Sequence, residues 1–513
     1  MKTKEKSVKS NTGILGAIES IGNKLPHPGT IFVILCAIIV FVSAIMAKMG
    51  VSVTYTGLDR STMEIKEMSA KVISLLTPDG IRYMFTSAVK NFTSFAPLGT
   101  VLVALLGVGV AEGTGLIGTL LTKLVTSTPK RLITVVVVFS GVMSSIASDA
   151  GYVVLVPLGA IIFLSFGRHP MAGLAAAFAG VSGGYSANLL AGPTDALLAG
   201  ISTEGAKLFS SDAFVGPADN WYFIIASTLI ITIVGTIITE KVVEPKLGKY
   251  DGEEKANLND ITAEEKRGLK FAGISMIIFI ILLIISLLPN GVLRNPETNE
   301  ILNSPFMDSI VMIISLFFFI PGVAYGIGCK SIKSDKDVIA LMAKSMATMG
   351  GYIVLVFFAA QFVQYFNYTN IGIVIAVNGA NFLEGIGFTG IPLIISFVLL
   401  TAFINLFMGS ASAKWAIMAP VFIPMLMKLG TSPALVQMAY RIGDSTTNII
   451  SPLMSYFALI VAFAERYDKK SGVGTLITTM VPYSIAFLVS WTILLIIWYM
   501  FGLQLGPGVG VTI

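Results

Sequence analysis

Cysteine, histidine and charge are all scarce in this chain, and each scarcity excludes a class of protein. Among 513 residues there are two cysteines and two histidines. Because no C-x-x-C or His-Glu-x-x-His pattern occurs, we expect neither a disulfide framework nor a zinc site. Only 12% of the residues are charged, which is about half the fraction usual in soluble domains. We therefore expect no enzyme, no resident cofactor and no nucleic-acid partner.

Apolar sequence is what the chain has in excess. Hydrophobic residues make up 55% of it, and its mean hydropathy is +0.84. An apolar helix of about 20 residues crosses the hydrocarbon core of a bilayer, where every backbone polar group must be paired within the protein. The runs are long and do not alternate, so they predict an all-α integral membrane protein. The predicted spans are 30–49, 97–126, 171–200, 221–239, 270–288, 305–327, 347–368, 433–465 and 474–500.

Basic residues predict how the chain is divided. Lysine and arginine are enriched in cytoplasmic loops, and they cluster in segment 1–29 and in the charged stretch 240–269. We interpret 1–29 as a cytoplasmic N-terminal segment and 240–269 as a cytoplasmic linker. The linker separates a first membrane half, 30–239, from a second, 270–513. The chain has no cleavable signal peptide by this interpretation, because its first apolar run is too long for one.

Two further apolar segments are predicted to enter and leave the membrane on one face. Stretch 130–166 is basic at both ends, which places both ends inside, whereas 385–430 begins and ends on the outer side. The sequence thus predicts about nine transmembrane helices and two re-entrant helical hairpins, near 136–160 and 395–425. Such irregular backbone is tolerated only where protein or water surrounds it.

An internal repeat relates the two halves. Met143–Pro157 resembles Met408–Pro420, and Gly183–Leu190 resembles Gly443–Ile450. Each segment has a small, polar break inside an apolar run. By the charge pattern, the two segments of the first half start from the inside and the two of the second half start from the outside. Small residues can also serve close helix packing. Four breaks in two mirrored pairs favour an inverted-repeat secondary transporter, with its binding site at the breaks.

Ionisable side chains inside apolar segments are costly and therefore invite functional hypotheses. Asp149 and Asp195 lie in the first half, and Lys414, Arg441 and Asp444 in the second. Arg441 and Asp444 are three residues apart, so they share a helix face and can form a structural ion pair. In the functional alternative, Arg441 holds a substrate carboxylate bidentately and Asp444 tunes it or carries coupling charge.

The neighbouring polar and aromatic residues each have two interpretations. Trp415 offers a face for a substrate ring to stack on, or it packs in the protein. Asn188 and Asn448 occupy matching repeat positions and form either cation sites or helix caps. Asp195 suits a proton or Na⁺, so a possible coupling-ion site lies near Asn188, Asp195 and Asn448. The carboxylates Asp149 and Asp444 are further candidates for ion coupling.

At these motifs the sequence resembles the p-aminobenzoyl-glutamate transporter (AbgT) family over nearly its whole length. The resemblance rests on Gly22–Pro28, Asn91–Gly99, Ser144–Tyr152, Ala179–Asn188, Trp221–Phe223 and Tyr440–Pro452. It implies a homodimer in a bacterial inner membrane, with nine transmembrane helices and two hairpins in each protomer. It also implies transport of p-aminobenzoyl-glutamate or sulfonamide antimetabolites, driven by a proton or sodium gradient. The implied functional positions are Asp195, Asn405, Ser412, Trp415, Pro433, Arg441, Asp444 and Pro452.

The implied substrate, p-aminobenzoyl-glutamate, has two carboxylates and one ring. We expect Arg441, helped by Lys414, to hold the carboxylates, and Trp415 to stack on the ring. Ser412 and Asn405 are expected to bond to the amide. The alternatives are a transporter of dicarboxylates, other small anions or peptides, a channel, and a membrane-embedded amidohydrolase, which is disfavoured because no nucleophile–base pair is evident.

Overall fold

The structure, a computed structural model, describes residues 26, 28–59, 64–147, 151–252, 261–301, 304–469 and 471–513. The predicted helical membrane fold is confirmed, since apolar helices make up most of these residues. The first half contains α1 (Pro28–Lys48), β1 (Ser52–Asp59), β2 (Glu64–Lys71), α2 (Pro78–Thr86), α3 (Ala88–Thr93), α4 (Ala96–Gly113), α5 (Leu116–Thr126), α6 (Ile133–Ser144), α7 (Val156–Ser165), α8 (Pro170–Phe178), α9 (Pro193–Lys207), α10 (Trp221–Ile238) and α11 (Glu244–Leu247).

The second half begins with a helix whose first residues lie within the charged stretch 240–269. It contains α12 (Ala263–Ser286), α13 (Pro305–Asp308), α14 (Ile310–Gly328), α15 (Asp335–Ala347), α16 (Gly350–Tyr368), α17 (Ile371–Gly385), α18 (Gly390–Asn405), α19 (Ala411–Lys428), α20 (Pro433–Asn448), α21 (Phe457–Tyr467) and α22 (Val473–Met500). Short π-helical pieces, Gly151–Leu155, Ala179–Gly183 and Thr239–Val243, precede α7 and extend α8 and α10.

The two halves repeat one series of elements. The first half runs α4–α5, α6–α7, α8–α9 and α10, and the second runs α16–α17, α18–α19, α20–α21 and α22. The helix that precedes each series packs on the other half: α1 lies against α16, and α14 lies against α4. Gly107 allows this second contact, because a Cβ there would lie 1.8 Å from the carbonyl oxygen of Ser315. The halves are therefore interlocked.

Among the described residues, six helices are long and apolar enough to span a membrane alone: α1, α10 with its extension, α12, α14, α16 and α22. The pair α4–α5 makes a seventh span, bent by 58°, at Gly115, whose φ of +90° suits glycine. The sequence did not predict α17. The number of nine crossings stays a prediction, because the crossings beyond these seven would have to be made by the interrupted helices.

The stretch 50–80 is long and mixed in charge, which predicts only a loop on the outer side, but it carries a β-hairpin. Strands β1 and β2 pair antiparallel, with Ser52 opposite Lys71 and Thr54 opposite Ser69. Two strands alone are marginally stable in water. This hairpin is held at its base, where the Val72 N–H donates to Val51 O and the Ile73 N–H to Thr369 O.

The C-terminal segment after α22 folds back over the ends of two helices. The Ser432 N–H donates to Val511 O at 3.1 Å, and the Phe223 N–H donates to Leu505 O at 3.1 Å. Leu505 is fully buried. Because Ser432 caps α20 and Phe223 lies in the first turn of α10, the segment fixes where both helices begin.

Candidate functional site

Four interruptions of the helical segments face one cavity of about 660 Å³. They lie between α6 and α7, between α8 and α9, between α18 and α19, and between α20 and α21. Their contributions to the wall include Tyr152, Tyr185, Gly409 and Tyr456. Backbone groups at such interruptions lack helical partners and are available to ligands. The breaks that the sequence singled out therefore meet in space.

Helices α4 and α15 form the opposite wall, and they approach closely. A Cβ on Gly109 would lie 2.2 Å from Ser345 Oγ, and a Cβ on Gly113 would lie 2.8 Å from Leu341 Cδ2. The glycines thus bring α15 against the cavity. This wall also carries two charged side chains: Glu112 is the acid and Lys344 the base among the residues that line the cavity.

The aromatic part of the cavity joins the two halves. The rings of Tyr152 and Tyr456 are stacked, with centroids 4.6 Å apart and planes inclined by 11°. Tyr185 lies in the same wall, and its hydroxyl is 3.3 Å from Thr194 Oγ1. An aromatic ligand could pack on such tyrosines while their hydroxyls bond to polar groups.

Behind the cavity, Arg441 forms an ion pair with Asp195. Arg441 Nη1 lies 2.6 Å from Asp195 Oδ1, and the two side chains are 3% and 6% exposed. Asp195 Oδ2 accepts the Gly192 N–H at 2.7 Å, at the first turn of α9, where a carboxylate is favoured. The ion pair is close but poorly aligned for hydrogen bonding, because Oδ1 and Arg441 Nε have no hydrogen-bond partner. The structure thus pairs Arg441 with Asp195 and not with Asp444, the partner that their spacing along one helix favours.

Asp444 instead pairs with Lys414. Lys414 Nζ lies 2.5 Å from Asp444 Oδ1 and also donates to Asn405 Oδ1. Asn405 Nδ2 donates in turn to Asp444 O at 2.7 Å and to Asn448 Oδ1 at 2.9 Å. All four side chains are buried, so this cluster holds α18, α19 and α20 together.

The repeat is not symmetric in charge. In the matching segments Gly183–Leu190 and Gly443–Ile450, Gly184 occupies the position of Asp444. A Cβ on Gly184 would lie 2.7 Å from Val142 Cγ2. The space at this position therefore excludes a side chain as large as that of aspartate. The paired charges around the breaks consequently lie mainly in the second half.

Trp415 is enclosed by protein, which corresponds to the packing interpretation of this residue. It is fully buried, stacks on Tyr440 with centroids 4.3 Å apart, and donates through Nε1 to Ser202 Oγ at 3.0 Å. Gln437 Nε2 donates to the same oxygen at 2.8 Å, and the Asn220 amide donates to Gln437 Oε1. The indole thus belongs to a polar chain between the halves and does not line the cavity.

Three other predicted positions lie around the helix ends. Ser412 is in the first turn of α19 and borders a small space beside Tyr352. Pro433 is the first residue of α20, a position where its missing N–H costs little. Pro452 follows α20 in the fourth break. None of the three lines the cavity, and Pro433 lies at the end of α20 opposite to the fourth break.

The residues predicted to hold Na⁺ have different partners. Asn188 Nδ2 donates to Ser145 Oγ at 2.9 Å, and its Oδ1 accepts the Leu190 N–H. Asn448 bonds to Asn405, and Asp195 pairs with Arg441. Asp149 lies outside the described residues. Within the part of the chain that the structure describes, no group of three His, Cys, Asp or Glu side chains could hold a metal ion.

Sequence reasoning missed Lys344 and misplaced Glu112. Glu112 lies near the end of an apolar run, which predicts a place at the membrane interface, but it lines the cavity. Lys344 lies outside the repeated motifs, on α15, whose proximity to the breaks depends on packing against α4. Two of the tyrosines could have been predicted from the sequence, because Tyr152 and Tyr185 lie in the repeated motifs themselves.

A repeat of interrupted helices around a central cavity, in a chain of long apolar helices, defines a helical membrane transporter. The chain belongs to the AbgT putative transporter family, whose model matches residues 13–513. It is 41% identical over 497 residues to the p-aminobenzoyl-glutamate transport protein of Escherichia coli (strain K12), covering 97% of this chain and 96% of that one.

Two solved structures are similar throughout. The Alcanivorax borkumensis YdaH transporter matches with a TM-score of 0.88 and 46% identity, covering 94% of this chain and 100% of its own. Neisseria gonorrhoeae MtrF, described with a class of antimetabolite efflux pumps, matches with a TM-score of 0.91 and 51% identity, covering 97% and 100%. The family resemblance is confirmed.

Proposed function

We propose that this transporter moves p-aminobenzoyl-glutamate and related aromatic compounds of the folate pathway, including sulfonamide antimetabolites. The observation that carries the proposal is the cavity of about 660 Å³ at which all four breaks meet. Among the described residues, its lining has tyrosines for a ring and one base for an anion. The Escherichia coli relative, a p-aminobenzoyl-glutamate transport protein, and the antimetabolite efflux described for the Neisseria neighbour support the choice of substrate.

Transport is proposed to be secondary active and coupled to a proton or sodium gradient. The candidate coupling groups are the buried carboxylates of Asp195 and Asp444, each paired with a cation. Buried carboxylates near the middle of a bilayer serve as ion or proton relays. The ion pairs of these carboxylates with Arg441 and Lys414 would break or persist as coupling ions bind.

The test is a flux assay in proteoliposomes with labelled p-aminobenzoyl-glutamate. A pH gradient and a sodium gradient are imposed separately, and protein-free liposomes serve as the control. Accumulation against a concentration gradient under one of the two supports the proposal. Absence of flux under both, or flux of short dicarboxylates and peptides alone, would refute it, as would release of free p-aminobenzoate by the purified protein.

The setting proposed for the transporter is a bacterial inner membrane, with a cytoplasmic N-terminus and two protomers in the functional unit. The basic N-terminal segment 1–29 and linker 240–269 support this orientation. Proteolysis of right-side-out and inside-out vesicles tests the orientation, and cross-linking in membranes tests the dimer. Cleavage of the linker from the outer side would overturn the orientation.

A further inference from the structure

The buried cations of the site are not presented to the cavity. Arg441 and Lys414 are absent from its lining, and each is engaged with an aspartate in the protein interior. Drawing either cation away to a ligand would leave a buried carboxylate without compensation, which is strongly unfavourable. An anionic substrate entering this conformation must therefore find its first positive partner elsewhere.

Lys344 is the base that lines the cavity. It lies in the last turn of α15 and is exposed. Among the described residues it makes no ion pair. A lysine near a helix C-terminus also stabilises its own helix, so its position alone does not distinguish a structural role from a binding role. Its place on the cavity wall favours the binding role.

The wall that carries Lys344 lines the same cavity as the tyrosines. Gly109 and Gly113 allow α15 to approach α4 with no side chain between them, and the exposed side chain of Lys344 borders the same cavity as the breaks. Tyr152 and Tyr456 lie in the facing wall as a stacked pair. The lining of the cavity thus combines an aromatic surface with the positive charge of Lys344 and the acid Glu112.

We propose that Lys344 receives the carboxylates of the substrate, and that it determines the preference for anionic over neutral aromatic compounds. This inference rests on the proposed function and assigns the carboxylate to a residue other than Arg441. A lysine ammonium is a flexible point charge, which suits a glutamate moiety whose two carboxylates are not fixed relative to the ring. Neutral sulfonamides would use the tyrosines alone.

The experiment compares two substrates in proteoliposomes containing wild type, Lys344→Gln, Lys344→Arg or Lys336→Gln. One substrate is p-aminobenzoyl-glutamate, and the other is its neutral diamide. Lys336 is the matched control, because it is an exposed lysine of the same helix that does not line the cavity. We expect Lys344→Gln to raise the KM for the dicarboxylate about tenfold, the loss of one charge-assisted bond, and to leave the KM for the diamide within about twofold.

Lys344→Arg should restore the KM for the dicarboxylate, and Lys336→Gln should match wild type. Equal changes for both substrates, or no change, would overturn the inference.

Thermal-shift titration of the detergent-solubilised proteins with p-aminobenzoyl-glutamate gives a reading independent of flux. Binding that weakens about tenfold in Lys344→Gln supports the inference even if wild-type flux fails, and failed flux alone counts against the proposed function. Absence of binding to wild type overturns both.

Discussion

Arg441 Nη1 lies 2.6 Å from Asp195 Oδ1, and this contact joins α20 of the second half to α9 of the first. The two residues are far apart in sequence, and both side chains are almost completely enclosed. A buried ion pair contributes little net stability, but the loss of one partner is costly because the other charge stays buried. The pair therefore ties the relative position of the two halves to the charge state of one carboxylate.

This relationship predicts a double-mutant cycle. Arg441→Gln and Asp195→Asn should each destabilise the protein by about 3–5 kcal/mol, because each leaves an uncompensated buried charge. The double variant should be more stable than the sum of the single effects implies. The measurement is unfolding in detergent. The control is Arg82→Gln, which removes an ion pair to Asp79 whose side chains are 75% and 81% exposed, and which should cost less than about 1 kcal/mol. Additive single effects would contradict the coupling.

Trp415→Phe distinguishes the packing interpretation from substrate stacking. The change removes the Nε1 bond to Ser202 but keeps an aromatic ring near Tyr440. We expect a loss of about 1 kcal/mol of stability and a KM for p-aminobenzoyl-glutamate within about twofold of wild type, because the indole does not line the cavity.

The partner variant for this prediction is Ser202→Ala, which removes the same acceptor without touching the indole. It should destabilise the protein to a similar degree, since Trp415 Nε1 and Gln437 Nε2 both lose their acceptor. If Trp415→Phe raised the KM severalfold while Ser202→Ala did not, the indole would contact the substrate after all.

The sequence predicted the membrane helices and the breaks because both leave local signals. An apolar run such as that of α12 must be a helix in lipid, and Gly-Ser interruptions repeated in both halves mark the breaks. The signal fails where an element is short or less apolar. Helix α17 begins directly after Asn370, whose φ is +58°, so one turn separates it from α16.

The ion pairs could not be predicted, for a physical reason. Spacing along one helix favours Arg441 with Asp444, and the sequence carries no information on how far each side chain is from residues of the other half. The tertiary arrangement brings Asp195 to Arg441, and Lys414 to Asp444. Lys344 is a similar case, since it approaches the cavity only through the glycine contacts between α4 and α15.

Tyr456→Ala should weaken transport of aromatic substrates. It removes one ring of the stacked pair that lines the cavity, and an aromatic contact is worth about 0.5–1.5 kcal/mol beyond burial. We expect the KM for p-aminobenzoyl-glutamate to rise about threefold to tenfold, with Tyr456→Phe close to wild type. Tyr222→Ala, which disrupts a different aromatic pair, is the control. An equal loss in that control would show that the effect is not specific to the cavity.

The last prediction concerns Asp219, in the loop before α10 and outside the membrane-spanning segments. Burial raises the pKa of its carboxyl from 3.8 to about 6, and the hydrogen bond from the Gly216 N–H opposes this shift. Between these pH values the folded protein binds a proton that the unfolded chain has released. The contribution of Asp219 to stability therefore falls as the pH rises through this interval, and it stays low above about pH 6.

Asp219→Asn removes the titration and keeps an oxygen that can accept the Gly216 N–H. The variant should be more stable than wild type by about 2–3 kcal/mol at about pH 7.5, and this advantage should disappear at about pH 3, below both pKa values, where Asp219 is largely protonated in both folded and unfolded chains. Thermal unfolding of both proteins in detergent across this range measures the difference. A variant less stable than wild type at neutral pH would mean that the ionised carboxylate is stabilised in the fold. In that case the ionised carboxylate would stabilise the contact between residues 218 and 219 and the segment around Gly506, which packs directly on them.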